Sequence, residues 1–437
     1  MKREGAHKVR EPRRPPTPAH PSLAIVHASE LLTLRGPRGP RIREAMSDLG
    51  IVEDGAVYIE GSRIVDVGPS AEVLRRHPRA GRTIDASGKI VLPGFVDAHT
   101  HAVFAGSREH ELEWKAQGLT YAEIANRGGG ILHTVRATRE ADEATLAGLA
   151  SDRLATMIAH GTTTAEVKSG YGLRTADELK ILQAASSAGR ASGVTVVPTF
   201  LGAHAVPPEF EGRADAYADL VASESIDAVV SSRAASFCDV FLEPGYFDPP
   251  QARRVLQKAA TVGLGLKIHA DELSDSGGAS LAAELRATSA DHLLHVSAAG
   301  VDALATAGVI GVLLPATSLA SRLPYADGRR LVDAGVPVAL GTDFNPNCWC
   351  ESMQLAIALA CHHNGLLPAQ AITAATINSA YAVGRGDTTG SLEAGKAADV
   401  LVCDAPAHQH LGYRLGGNLV GTVVRGGRII ETRALTK

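Results

Sequence analysis

From about residue 91 onward, apolar runs of strand length alternate with helical segments, and each apolar run ends in polar residues. "TADELKILQAASSAGR" leads into "GVTVVPTFLGAH", "PPQARRVLQKAATV" into "GLGLKIHADE", "AAGVDALATA" into "GVIGVLLPATS", and "GRRLVDA" into "GVPVALGTDFNP". Parallel strands need a crossover between them, so this alternation specifies a parallel α/β sheet. Its length suits a (β/α)₈ TIM-like barrel over residues 91–385. A doubly wound open sheet is the competing architecture, but no G-x-G-x-x-G turn follows an early strand.

The two ends read differently. Residues 22–90 carry β-branched runs between Gly- and Asp-containing turns, as in "GAVYIEGSRIVDVG", and "GKAADVLVCDAP" and "GTVVRGGRIIETR" have the same character. Both ends are therefore expected to meet in one small β-sandwich domain, residues 22–90 plus 386–437. Residues 1–21 are rich in Arg, Pro and His and have no apolar stretch before a cleavage site. They read as a disordered extension instead of a secretory signal.

A chain of 437 residues with 45% hydrophobic and 21% charged residues buries a large core unaided. A metal would therefore do chemistry instead of holding the fold. The formal net charge of −4 and the lack of a long basic stretch give no support for nucleic acid as a partner. No apolar window is long enough to span a membrane. Five irregularly spaced cysteines argue against a disulfide framework and for a reducing compartment, the cytoplasm. A homodimer is the expected assembly.

Active sites of such barrels lie at the C-terminal ends of the strands. The polar residues that end each apolar run are thus the candidates. "IVLPGFVDAHTHAVFAG", read as the first barrel strand, ends in His99-Thr100-His101. Alternate residues share one face, so both imidazoles can bind one cation, at about 2.0–2.1 Å if it is zinc. "LGLKIHADE" adds His269 and "PVALGTDFNP" adds Asp343. Three imidazoles and a carboxylate suit zinc or iron, one divalent or trivalent ion per chain. Such a site leaves room for a water whose pKa falls towards about 7. Asp343 is the first choice to take its proton and deliver it to a leaving nitrogen. Glu272, in the turn after His269, is placed to bond a ring N–H and assist proton transfer. His204 and His292, at two more strand ends, are placed to polarise a carbonyl. Arg108 and Tyr171 suit a small substrate bearing a carboxylate, since guanidinium binds carboxylate through two bonds.

"PGFVDAHTHAVF", the later His and "GTDFNP" resemble the amidohydrolase superfamily. Within it, "DAHTHAVFAGSRE", "GGGILHTVRATR", "GTTTAEVKSGYGL", "PTFLGAHAVPPE", "IHADELSDSGGASLAAELRATSADHL" and "TDFNPNCWCESM" resemble the imidazolonepropionase family. The resemblance covers roughly residues 25–435. It implies hydrolytic ring opening of 4-imidazolone-5-propanoate to N-formimidoyl-L-glutamate in histidine degradation. It also implies metal ligation by His99, His101, His269 and Asp343, and substrate contacts from Arg108, Tyr171, His204 and Asn345. Glu272 and His292 would assist catalysis. After "DFNP" this chain has Asn347 and Cys348 where many members have Gly followed by Ser or Thr. Cys348 offers no hydroxyl, which leaves a backbone N–H of this loop to reach the propanoate. Glu272 stands where some members carry Gln.

Three alternatives are distinct. One is a deaminase of an aminated ring such as guanine or cytosine. Another is a catalytically silent barrel that acts by binding. The third is a two-metal hydrolase bridged by a carbamylated lysine. Lys168 is the candidate for that bridge, but it reads as lying beyond the strand "GTTTAEV", which favours one metal.

Overall fold

The computed structural model describes residues 22–431. The extension expected at residues 1–21 lies outside the described residues. Eight strands form the barrel: β1 (Phe95–Asp97), β2 (Thr162–Lys168), β3 (Thr195–Ala203), β4 (Phe237–Leu242), β5 (Gly265–Ala270), β6 (Ser289–His292), β7 (Ile310–Leu313) and β8 (Val338–Leu340). Each pairs in parallel with the next in chain order. The ring closes where Ala98 N donates to Leu340 O at 3.3 Å and Thr100 bridges Phe344. Helices such as Thr175–Ser192 and Pro249–Thr261 cover the outside. The second of these opens on an Asp248 capping box with Pro at its first position, a sequence-encoded start.

The chain ends share a second, mixed sheet of eight strands. Its lateral order is Arg428–Ile430, Val420–Arg425, Val400–Cys403, Ile90–Pro93, Ser22–Leu32, Ile51–Glu60 and Arg63–Pro69, with Arg82–Asp85 alongside Ser22–Leu32. The two ends join where Val400–Cys403 runs antiparallel to Ile90–Pro93. The sheet folds over Leu23, Ile25, Val57, Ile59, Val91, Val400, Val402 and Val424 as a small sandwich.

The run "IVLPGFVDAHTH", read as one strand, is broken in two. Ile90–Pro93 belongs to the mixed sheet, Phe95–Asp97 to the barrel, and Gly94 between them donates its N–H to Asp399 O at 3.0 Å. A Cβ at Gly94 would stand 2.1 Å from Thr163 Oγ1, so only glycine lets the chain cross so close to β2.

The barrel interior below the strand ends is charged. Lys168 Nζ lies 2.6 Å from Asp239, 2.8 Å from Glu166 and 3.5 Å from Asp291, and Lys267 Nζ lies 3.2 Å from Glu166. All five side chains are fully buried. The placement of Lys168 in a loop is therefore corrected: it is the last residue of β2 and points into this network. Burial alone would lower its pKa, but the charges of Asp239, Glu166 and Asp291 outweigh that and hold it above the ordinary lysine value. A lysine so firmly protonated is a poor candidate for carbamylation, which needs the free amine.

Candidate active site

His99 and His101 lie just past the end of β1, on an extended segment hydrogen-bonded on both sides. Lys168 N donates to Thr100 O at 2.9 Å, His101 N to Phe344 O at 2.8 Å, and Asp343 N to His99 O at 3.0 Å. Gly341 makes this closeness feasible, because a Cβ there would stand 2.9 Å from His99 Cβ. Asp343, His292 and Asp271 all adopt positive φ, at 48°, 79° and 52°. Non-glycine residues rarely do so, at a cost of order 1–3 kcal/mol each, and such strain gathers where side chains must be aimed.

The aimed atoms converge. Asp343 Oδ1 is 3.5 Å from His99 Nε2 and 3.6 Å from His101 Nε2, and His101 Nε2 is 3.4 Å from His269 Nε2. Four atoms bound tetrahedrally about 2.1 Å from one ion stand about 3.4 Å from each other. The proton positions agree. His99 Nδ1 donates to Asp291 Oδ2 at 2.6 Å, and His269 Nδ1 lies 3.1 Å from Asp239. Those carboxylates hold the proton on Nδ1 and turn each Nε2 lone pair inward. His99 Nε2 is buried with no hydrogen-bond partner. Burial pushes His99 and His101 well below the ordinary histidine pKa, which keeps them neutral and able to ligate. An orphaned Nε2 among converging donors at this spacing fits a metal ion. His292 also falls within a possible ligand group, with His99 and His269.

Above these residues opens a cavity of about 280 Å³. His101, His269, His292, Asp343, Arg108, Tyr171, His204, Glu272, Asn345 and Asn347 all line it. Arg108 is buried, not a surface residue, and donates through Nε and Nη2 to Glu111 at 2.8 and 2.7 Å. His204 Nδ1 donates to Gly170 O at 2.9 Å, so its Nε2 is an acceptor. Burial pushes its pKa down to about 3. That differs from the expectation that it polarises a carbonyl, which needs a donor. Burial and the charges of Asp343 and Glu243 push Glu272 well above the usual carboxylate range. Its Oε2 lies 3.6 Å from His292 Nε2.

The loop after Asp343 departs from expectation. Asn345 and Cys348 close a tight turn, each N–H donating to the other's carbonyl, at 3.0 and 3.1 Å. Asn345 Oδ1 accepts from the backbone N–H of both Asn347 and Cys348, at 2.7 and 3.1 Å. Those N–H groups face Asn345, not the cavity, so they do not present themselves to a propanoate. Cys348 packs with Ala316, Cys350 and Leu359, its thiol lies 3.9 Å from Thr342 O, and it is not among the residues that line the cavity.

Several residues of the site escaped the sequence reading. Asp291 and Asp239 orient the histidines. Thr317 Oγ1 donates to Asp343 Oδ2 at 2.6 Å and fixes that carboxylate. Glu243 accepts from the backbone N–H of Glu272 and Leu273 and so shapes the turn. Glu178 does the same for the loop carrying Tyr171, accepting from the N–H of Gly170, Gly172 and Leu173. The signal for Asp239 was present, a carboxylate inside the otherwise apolar strand Phe237–Leu242, whereas Asp291 sits in the polar run Ser289–His292 and gave none.

A closed barrel with a flanking sandwich and a histidine–aspartate centre at its mouth defines a class of hydrolases. Residues 90–430 match the model of the amidohydrolase family, and the chain belongs to that family. Residues 55–80 match an imidazolonepropionase-like composite domain of bacteria. The chain is 51% identical to the imidazolonepropionase of Symbiobacterium thermophilum, over 93% of this chain and 97% of that one. It is 49% identical to that of Geobacillus kaustophilus, with the same coverage, and 48% identical to that of Haloarcula marismortui over 87% and 90%. These relatives place it in the imidazolonepropionase family, hydrolases of carbon–nitrogen bonds. Solved structures share the fold at low identity. A triazine hydrolase variant matches with TM-score 0.71 at 20% identity, covering 93% of this chain and 94% of that one. Guanine deaminase of E. coli matches with TM-score 0.69 at 16%, covering 95% and 100%. No helix among the described residues is long and apolar enough to cross a membrane.

Proposed function

We propose that the chain opens the ring of 4-imidazolone-5-propanoate with water, giving N-formimidoyl-L-glutamate. One observation carries the reading: the lone pairs of His99, His101, His269 and Asp343 converge at the floor of a cavity walled by a buried arginine. These four residues would hold one zinc or iron ion per chain. Such an ion, when bound, acidifies water toward a pKa of about 7 and polarises a carbonyl.

The chain's own residues do the rest. Asp343 takes the proton of the attacking water and returns it to the ring nitrogen as the carbon–nitrogen bond breaks. Thr317 keeps its carboxylate in one orientation. His204, an acceptor at Nε2, pairs with a ring N–H. Glu272 and His292 stand together beside the ring and relay a proton between water and substrate. Arg108 and Tyr171 hold the carboxylate end. A homodimer in the cytoplasm belongs to the same reading, and light scattering giving twice the chain mass checks the assembly.

Deamination of guanine or cytosine is the second reading, since a deaminase shares this fold. Two cations on the cavity wall, Arg108 and Lys115, against the single local partner Glu111 disfavour it, because an aminated ring brings no second carboxylate. Incubation with imidazolonepropanoate, followed by loss of its ultraviolet absorbance, should show turnover. Ammonia release from guanine or cytosine, with imidazolonepropanoate untouched, would reverse the order of the two readings.

The Asp291 contact gives a further expected outcome. Asp291→Asn weakens the charge that orients His99 and should reduce metal affinity about 10- to 100-fold. Competition with a chromogenic chelator measures this, and an unchanged affinity would remove the role assigned to Asp291.

A further inference from the structure

The reaction as described leaves one charged residue of the cavity wall without a role. Lys115 lies on the short helix Glu111–Ala116, one turn after the glutamate that holds Arg108. Its Nζ donates to Asn347 Oδ1 at 2.6 Å and lies 3.4 Å from Ala320 O. Among the described residues, no carboxylate stands at ion-pair distance from it, whereas Arg108 is paired through two bonds with Glu111. Burial, and then the neighbouring charge of Arg108, lower its pKa from the ordinary lysine value, and the more distant charge of Glu111 offsets this only in part. Asn347 is itself anchored, its Nδ2 donating to Ser321 Oγ at 2.8 Å. The loop thus offers the cavity neither a hydroxyl nor a backbone N–H, but it does position a cation.

We infer that Lys115 pairs with the substrate's propanoate carboxylate, with Asn347 as the residue that positions it. The inference rests on the ring-opening reading and deepens it: the site selects anionic side chains through Lys115 together with Arg108. Asn347 acts on the substrate through the lysine, so its replacement by a residue unable to hold Nζ should weaken binding less than loss of the lysine does.

The test compares imidazolonepropanoate with its neutral primary amide on the wild type and on Lys115→Met, Lys115→Arg and Asn347→Ala. Lys115→Met should raise KM for the acid about 10- to 100-fold, the range of a charge-assisted bond, with kcat within a few-fold. KM for the amide should move less than about threefold. Lys115→Arg should restore most of the affinity for the acid, and Asn347→Ala should show a smaller rise. Equal rises for acid and amide would mean that Lys115 only braces the loop, and an unchanged KM for the acid would also overturn the inference. Should Lys115→Met fail to fold, the Lys115→Arg and Asn347→Ala ratios of acid to amide decide alone. A wild type that leaves the acid untouched would instead sink the ring-opening reading, and this inference with it.

Discussion

Asp343→Asn is expected to fold like the parent chain and to lose about three orders of magnitude in kcat, within the range that a positioned proton-transfer group supplies. The carboxylate serves two ends at once. Oδ1 faces the nitrogens of His99 and His101, while Oδ2 accepts from Thr317. An amide fills the same volume and still has an oxygen for one of these partners. It has no charge to complete the ligand set and no basic oxygen to take a proton. Burial already pushes the Asp343 carboxyl above its ordinary pKa, so a neutral amide costs the fold little. Steady-state kinetics beside a circular dichroism spectrum make the measurement. A variant within tenfold of wild-type kcat would show that the proton is taken elsewhere.

Lys168→Met is expected to have the largest effect on stability, about 3–5 kcal/mol, the usual cost of removing one partner from a buried ion network. Lys168 contacts Asp239, Glu166 and Asp291 at once. Without it, Lys267 is the one ammonium left beside three buried carboxylates, with the imidazoles of His99 and His269 giving hydrogen bonds but no charge. Two of those carboxylates orient His99 and His269, so metal affinity should fall together with stability. Urea unfolding of wild type and variant, each with and without added metal, checks both. A loss below about 1 kcal/mol would mean that the network contributes little to the fold.

The same network explains why the barrel was legible in the sequence while parts of its interior were not. Strands such as "IGVL" in "GVIGVLLPATS" are buried on both faces and read as apolar runs, and the helices between them keep their own period. "TTTAEVK" is equally buried yet reads as polar, because its charges are met by residues far along the chain. Lys168 therefore looked like a loop residue. Asp291 and His99 are 192 positions apart, so no local pattern could have paired them. The ligand candidates were readable for a different reason: each ends an apolar run, and closure of the barrel brings those ends together. Cys348 was assigned by the resemblance, as the residue that stands where family members carry Ser or Thr. The turn that Asn345 makes with it leaves Cys348 behind the cavity lining, and only backbone geometry reveals that. Lys115 reads as one charge among several on a short helix and acquires meaning only beside Asn347.

The most direct test of the account is turnover of imidazolonepropanoate by metal-loaded protein in ¹⁸O-labelled water, with the product analysed by mass spectrometry. Attack of water on the ring carbonyl, followed by cleavage of its bond to nitrogen, predicts formimidoylglutamate with one ¹⁸O in the newly formed carboxylate. The propanoate should be unlabelled, and no ammonia should be released. Ammonia release with the ring intact, or no turnover at all, would contradict it.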